Sequence, residues 1–191
     1  MSARKRVSPR PKFARVYWDS CIFIAWLTGE PRPQIELDGL REAVEQASRG
    51  EARVVVSRIF ETEVLVDAMP GQVKALLQKF LRQDSVEVID LEPPILQLAT
   101  EIRTYYRIEK QRGTSSFVPS MADSLHLATA INRKVDAFYT FDRGGKDKAS
   151  LLSLDRNVAG YPLAIHSPPA TQLTLAGVVG PSLMLTQKPK R

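Results

Sequence analysis

The stretch RVYWDSCIFIAWLTG, residues 15–29, sets a strand and a helix end to end with a carboxylate between them. Val16 to Trp18 predict a short buried strand, and Ser20 to Leu27 predict a helix that stops near Gly29. Asp19 stands at the junction. Aspartate is almost never fully buried unless it is paired or coordinated. One partner is local, because an Asp that follows a strand can N-cap the next helix.

Working outward, the same alternation repeats. EPRPQIELDGLREAVEQASRG turns at Pro31 and Pro33 and becomes a helix with Leu37, Leu40, Ala43, Val44 and Ala47 on one face and Gly50 as a stop. Residues 53–57, RVVVS, form a second β-branched strand, and RIFETEVLVDAM continues as a helix up to Pro70. Val73, Leu76, Leu77, Phe80 and Leu81 recur at helical spacing. VEVIDL (86–91) is a third strand, and Pro93-Pro94 open a long helix to about Gln111. Ser120 caps a helix over SMADSLHLATAINRK, its hydroxyl accepting from the Asp123 backbone N–H. DAFYTFD (136–142) reads as a fourth strand, ASLLSLD as a short helix and YPLAI (161–165) as a fifth strand. Strands alternating with helices imply an α/β fold with a central parallel sheet of about five strands in three layers.

The bulk properties bound the function. The chain has 191 residues, 43% hydrophobic and 25% charged, as expected of one folded domain with tails. The expected division is a basic arm at 1–14, a domain at 15–166, and a Pro-containing tail at 167–191 that is disordered or docks on a partner. No apolar run approaches the roughly 20 residues of a membrane span. The basic start lacks the apolar block of a secretory signal. One Cys excludes an intramolecular disulfide, and with two His it makes a structural zinc site improbable. A cytoplasmic protein is expected. The net charge of +6 favours an anionic partner, though much of it sits near the termini.

Ligands of an open parallel sheet bind at the carboxyl ends of its strands, near the point where strand order reverses. Asp19 ends the first strand and Asp142 the fourth; Asp123 lies in the first turn of the helix leading into that fourth strand. Glu63 follows the second strand, where spacing alone does not separate it from Glu61. Carboxylates brought together there need a counter-charge. With oxygen donors and no thiol–imidazole set, Mg²⁺ or Mn²⁺ is the natural choice. Each acid also has a local reading: Asp19 as a cap, Asp123 as a first-turn acid favoured by the helix dipole, Asp142 as a turn aspartate. His126, three residues after Asp123, is either a base or ligand or, as LHLATA favours, a packed histidine; Cys21 reads as core, and His166 carries no signal.

In content and order, VYWDSCIFIAWL, VVVSRIFETEVL, MADSLHLATA and AFYTFDRGG resemble the PIN-domain nucleases, over about residues 15 to 165. The resemblance implies a three-layer α/β/α fold and Mg²⁺- or Mn²⁺-dependent endoribonuclease activity. It implies Asp19, Glu63, Asp123 and Asp142 as catalytic and metal-binding acids, and Thr140 as an auxiliary that places water or metal. It is the family's acid, six residues after Ser57, that selects Glu63. Many members are toxins of toxin–antitoxin pairs (the VapC type), so the expected partners are RNA, a cognate antitoxin and, by family analogy, a second copy in a homodimer. Arg143, Lys146 and Lys148 are candidate RNA contacts; Arg103, Arg107, Lys110 and Arg112 either extend them or form an ordinary solvated helix face. Two alternatives stand beside this one. A non-catalytic RNA-binding module on the same fold would need no metal. A haloacid-dehalogenase-type phosphatase would place a second Asp two residues after the first, where this chain has Cys21.

Overall fold

The computed structural model describes residues 13–64, 70–144 and 150–171. The expected arm up to residue 12, Lys146, Lys148 and the tail from residue 172 lie outside the described residues.

Strand β1, Ala14–Trp18, occupies the middle of the sheet. It begins one residue inside the expected arm, because Ala14 already pairs with Ala52. Parallel partners flank it on both sides, β2 (Ala52–Ser57) and β4 (Ala137–Tyr139). A strand paired on both edges and covered on both faces is apolar throughout, as VYW is. Beyond these lie β3 (Val86–Ile89) and the two-residue β5 (Ile165–His166), giving the all-parallel order β3-β2-β1-β4-β5. The chain leaves β1 toward β2 and β3, then returns to β1's other edge as β4. Strand order therefore reverses between β1 and β4.

Alternation along β1 divides the core. Val16 and Trp18 face one layer of helices: α1 (Ser20–Thr28), α2 (Gln34–Ser48), α3 (Phe60–Val64) and α4 (Gly71–Leu81). There Trp18 stacks on Phe80 at 5.3 Å and Phe23 on Phe60 at 5.0 Å. Tyr17 faces the other layer, α5 (Pro93–Gln111) and α6 (Met121–Asn132), where it stacks on Phe138 at 4.9 Å. The result is the three-layer α/β/α fold expected from the sequence.

Two edges differ from expectation. The fourth strand ends at Tyr139 rather than Asp142. The Thr140 N–H still donates to the His166 carbonyl, but its hydroxyl turns to Asp19 and the Asp142 carboxylate turns to the Gly144 and Leu151 N–H groups. The fifth strand starts at Ile165 rather than Tyr161, because Val158 and Tyr161 close a turn through the left-handed Ala159 and Gly160. Pro162 follows and has no N–H to give a ladder. The chain then crosses α2. An added Cβ on Gly39 would sit 2.2 Å from the Pro168 carbonyl oxygen, so only glycine admits this crossing. The Thr171 N–H donates to Glu42 at 2.7 Å.

Candidate active site

Asp19 takes up both of the roles open to it. As N-cap of α1, its Oδ1 accepts from the Ser20 N–H at 2.8 Å. Its Oδ2 accepts from the Thr140 hydroxyl at 2.7 Å and from the Cys21 thiol at 3.1 Å. The carboxylate is buried, and the Asp19 N–H donates to the Tyr139 carbonyl at 3.0 Å, tying the ends of β1 and β4 together. Burial, reinforced by the Asp19 charge, pushes the Cys21 thiol well above its ordinary value, so Cys21 stays protonated and donates.

Glu63 reaches the same place from α3. Its Oε2 accepts from the Ser20 hydroxyl at 2.5 Å and from His126 Nε2 at 2.6 Å. Glu61, two residues earlier, pairs instead with Arg58 at 2.9 Å. Burial raises the Glu63 carboxyl, but the hydrogen bonds from His126 and Ser20 and attraction to the imidazole outweigh it, leaving it below the ordinary value. His126, 1% exposed on α6, meets the Tyr17 hydroxyl through Nδ1 at 2.6 Å, and that oxygen accepts from the Ser57 N–H at 3.0 Å. Burial, with smaller contributions from the Asp19 and Glu63 charges, holds Tyr17 well above its ordinary value, so it keeps its proton. His126 Nε2 lies 4.0 Å from Asp19 Oδ1. Ser20 and Glu63 both meet Nε2, so these three are no nucleophile–base–acid triad, in which nucleophile and acid bind opposite nitrogens.

The other two acids are held locally. Asp123 forms a capping box with Ser120: its Oδ2 accepts from the Ser120 N–H at 3.0 Å, and its own N–H donates to the Ser120 hydroxyl. Asp142 accepts from the Gly144 N–H and the Leu151 N–H, both at 2.9 Å, and its N–H donates to Thr140 Oγ1 at 3.0 Å. Thr140 thus touches both Asp19 and Asp142. Asp123 stands three residues before His126, on the same face of α6. Arg143 pairs with the buried Glu36 of α2, which also takes Arg32 at 3.3 Å.

The PIN domain family model matches residues 16–151, well over half of the chain. The chain belongs to the PIN domain family. No curated protein matches it significantly. Among solved structures, this PIN domain is similar to VapBC2 from Rickettsia felis bound to a promoter DNA fragment. The TM-score is 0.54 at 17% identity, covering 80% of this chain and 98% of that one. It is also similar to a toxin–antitoxin complex from Klebsiella pneumoniae, with a TM-score of 0.51 at 18% identity over 82% and 99% of the two chains. DNA-bound VapBC from Salmonella typhimurium gives a TM-score of 0.51 at 17% identity over 81% and 98%. At such identities the likeness is one of fold.

Within this PIN domain, Tyr17 and Ser20 give no site signal in the sequence, and for His126 the sequence favours packing. The flanking LHLATA is a core signal, and His126 is indeed buried; that its two nitrogens go to Tyr17 and Glu63 depends on contacts 109 and 63 residues away in sequence. Among the described residues, no three His, Cys, Asp or Glu side chains stand close enough together to hold a metal ion. Asp19 and Glu63 share two partners: Ser20 bonds both, and His126 Nε2 lies 2.6 Å from Glu63 and 4.0 Å from Asp19. Glu63 Oε1 makes no hydrogen bond among the described residues. Two carboxylates with an oxygen to spare fit Mg²⁺, which is typically held by one or two carboxylates and keeps several waters.

Proposed function

We propose that this PIN domain is a divalent-metal-dependent endoribonuclease. The observation that supports it is the meeting of Asp19 and Glu63 at the carboxyl ends of the strands, where strand order reverses, inside a network of buried hydrogen bonds. A divalent cation bound there would polarise a phosphodiester and bring the pKa of a bound water into a useful range. Asp19 and Glu63 would hold it directly, Asp123 and Asp142 adding negative charge through water. Thr140 fixes the Asp19 carboxylate. Ser20 and His126 fix that of Glu63. Single-stranded or looped RNA suits such a site, since unstacked segments bring their backbone within reach. Arg143 can serve it with the share of its charge that Glu36 does not offset.

The similar toxin–antitoxin complexes support a second part of the proposal: the chain is a toxin whose partner is a cognate antitoxin. One observation favours a different reading, a non-catalytic RNA-binding module, and it is the lack of a three-acid cluster among the described residues. A single experiment separates the two. Cleavage of labelled RNA is measured with Mg²⁺ or Mn²⁺ and with a chelator, for the wild type and Asp19→Asn. The expected result is cleavage that stops with chelator and falls more than about a hundredfold in the variant, beyond the 10–100-fold typical of losing an outer-shell partner. RNA binding that persists in the folded variant, with no cleavage by either protein, would leave the binding module as the correct reading.

A further inference from the structure

We propose that His126 and Tyr17 are positioning residues that aim the Glu63 carboxylate at the cation, a claim that rests on the metal-dependent reading above. Three links of one chain carry it. The Ser57 N–H donates to the Tyr17 oxygen at 3.0 Å; the Tyr17 hydroxyl meets His126 Nδ1 at 2.6 Å; His126 Nε2 meets Glu63 Oε2 at 2.6 Å. The direction of the protons follows from these partners. The phenol oxygen already accepts a backbone N–H, and its own proton goes to Nδ1. Nε2 faces a carboxylate oxygen, which can only accept, so it carries a hydrogen and donates to Glu63.

The consequence for Glu63 is geometric. α3 is a short helix of residues 60–64, and the Glu63 side chain is one-third exposed, so its own backbone constrains it weakly. With Oε2 fixed by His126 and Ser20, the plane of the carboxylate is set and Oε1 is the oxygen left over. His126 comes from α6, and Tyr17 and Ser57 from the interior of the sheet, all buried. The buried core therefore sets the orientation of a partly exposed acid through a hydrogen-bonded side chain, as outer-shell groups do at metal centres. Interruption of the chain anywhere lets Glu63 rotate without removing a ligand.

The test uses the full chain and five proteins: wild type, Glu63→Gln, His126→Leu, His126→Gln and Tyr17→Phe. Each is checked for folding by circular dichroism. Mn²⁺ binding is measured by calorimetry, and kcat and KM on a labelled single-stranded RNA. His126→Leu is expected to lose 10–100-fold in Mn²⁺ affinity and in kcat with KM nearly unchanged. His126→Gln, whose amide can still donate to Glu63, is expected to recover most of that loss, and Tyr17→Phe to fall between them. A folded His126→Leu that matches the wild type overturns the proposal, as do Leu and Gln variants that are equally impaired, since a packing role alone would give that. If Glu63→Gln is impaired while His126→Leu is not, the positioning claim falls and the metal reading stands. If Glu63→Gln itself matches the wild type in both measurements, the metal reading falls and takes the claim with it. Should the Leu variant not fold, ¹⁵N NMR of the wild-type imidazole decides: a hydrogen on Nε2 is expected, and a ring without one there overturns the proposal.

Discussion

Asp19 and Glu63 differ from Asp123 and Asp142 in where their partners come from. Asp19 keeps local bonds from the Ser20 N–H and the Cys21 thiol, but it and Glu63 also accept from Thr140, Ser20 and His126, which lie 121, 43 and 63 residues away along the chain. The second two accept only from backbone N–H groups between two and nine residues away. Local bonds of that kind, a capping box and a turn, would form around an aspartate with or without a functional site. Long-range ones require four elements to meet. The four acids thus differ in how they are held, two with long-range partners and two by their own loops alone.

Thr140 is the side chain common to both pairs, and removing its hydroxyl is the strongest way to test their coupling. It is fully buried, donating to Asp19 and accepting from Asp142. Thr140→Val keeps the volume but strands both partners. We expect a loss of about 1–3 kcal/mol in stability by urea unfolding, from the unsatisfied groups. Cleavage should fall about 10–100-fold, because Asp19 loses the bond that orients it. A variant as stable and active as the wild type would mean the two pairs are independent, and that Thr140 is only a packed β-end residue.

Much of this was readable before any coordinates. Strand and helix periods revealed the parallel sheet, and the break at Asp19 located its carboxyl end. The Ser120 cap on the Asp123 N–H is legible in the sequence, because both partners lie within one turn. The order β3-β2-β1-β4-β5 was not legible, since pairing between strands over a hundred residues apart leaves no local trace. Nor was the tie between Arg143 and Glu36, 107 residues apart, which turns a candidate phosphate contact into a partly offset charge. His126 shows the limit most clearly: apolar neighbours announce burial, and only the fold says what its nitrogens touch.

Asp123 offers a finer cut through the same comparison. Asn at this position keeps an oxygen to accept the Ser120 N–H, so the capping box survives and stability should stay within about 0.5 kcal/mol of the wild type. The negative charge is lost. If Asp123 adds charge through water, cleavage falls by about tenfold, well short of the loss at Asp19. Equal losses at Asp19 and Asp123 would erase the distinction between the pairs. No loss at all would reduce Asp123 to its cap.

The smallest effect is on stability against pH, and it belongs to Glu63. Its carboxyl is held below the ordinary value of 4.5, because the hydrogen bonds from His126 and Ser20 and attraction to His126 outweigh the opposing effect of burial. A carboxyl with a depressed folded-state value binds protons more readily when unfolded, so its contribution is complete above the unfolded value. That contribution is lost as pH falls through the folded one. The gap in urea midpoint between the wild type and Glu63→Gln should therefore be present near neutrality and close only once pH drops below about 4.5. Side-chain exposure of one-third keeps the gap modest, since solvent screens the network. A gap that widens as pH falls below 4.5 would reverse the sign. Glu63 would then sit in the folded protein as a strained carboxylate awaiting a counter-charge, and its bonds to His126 and Ser20 would no longer account for its position.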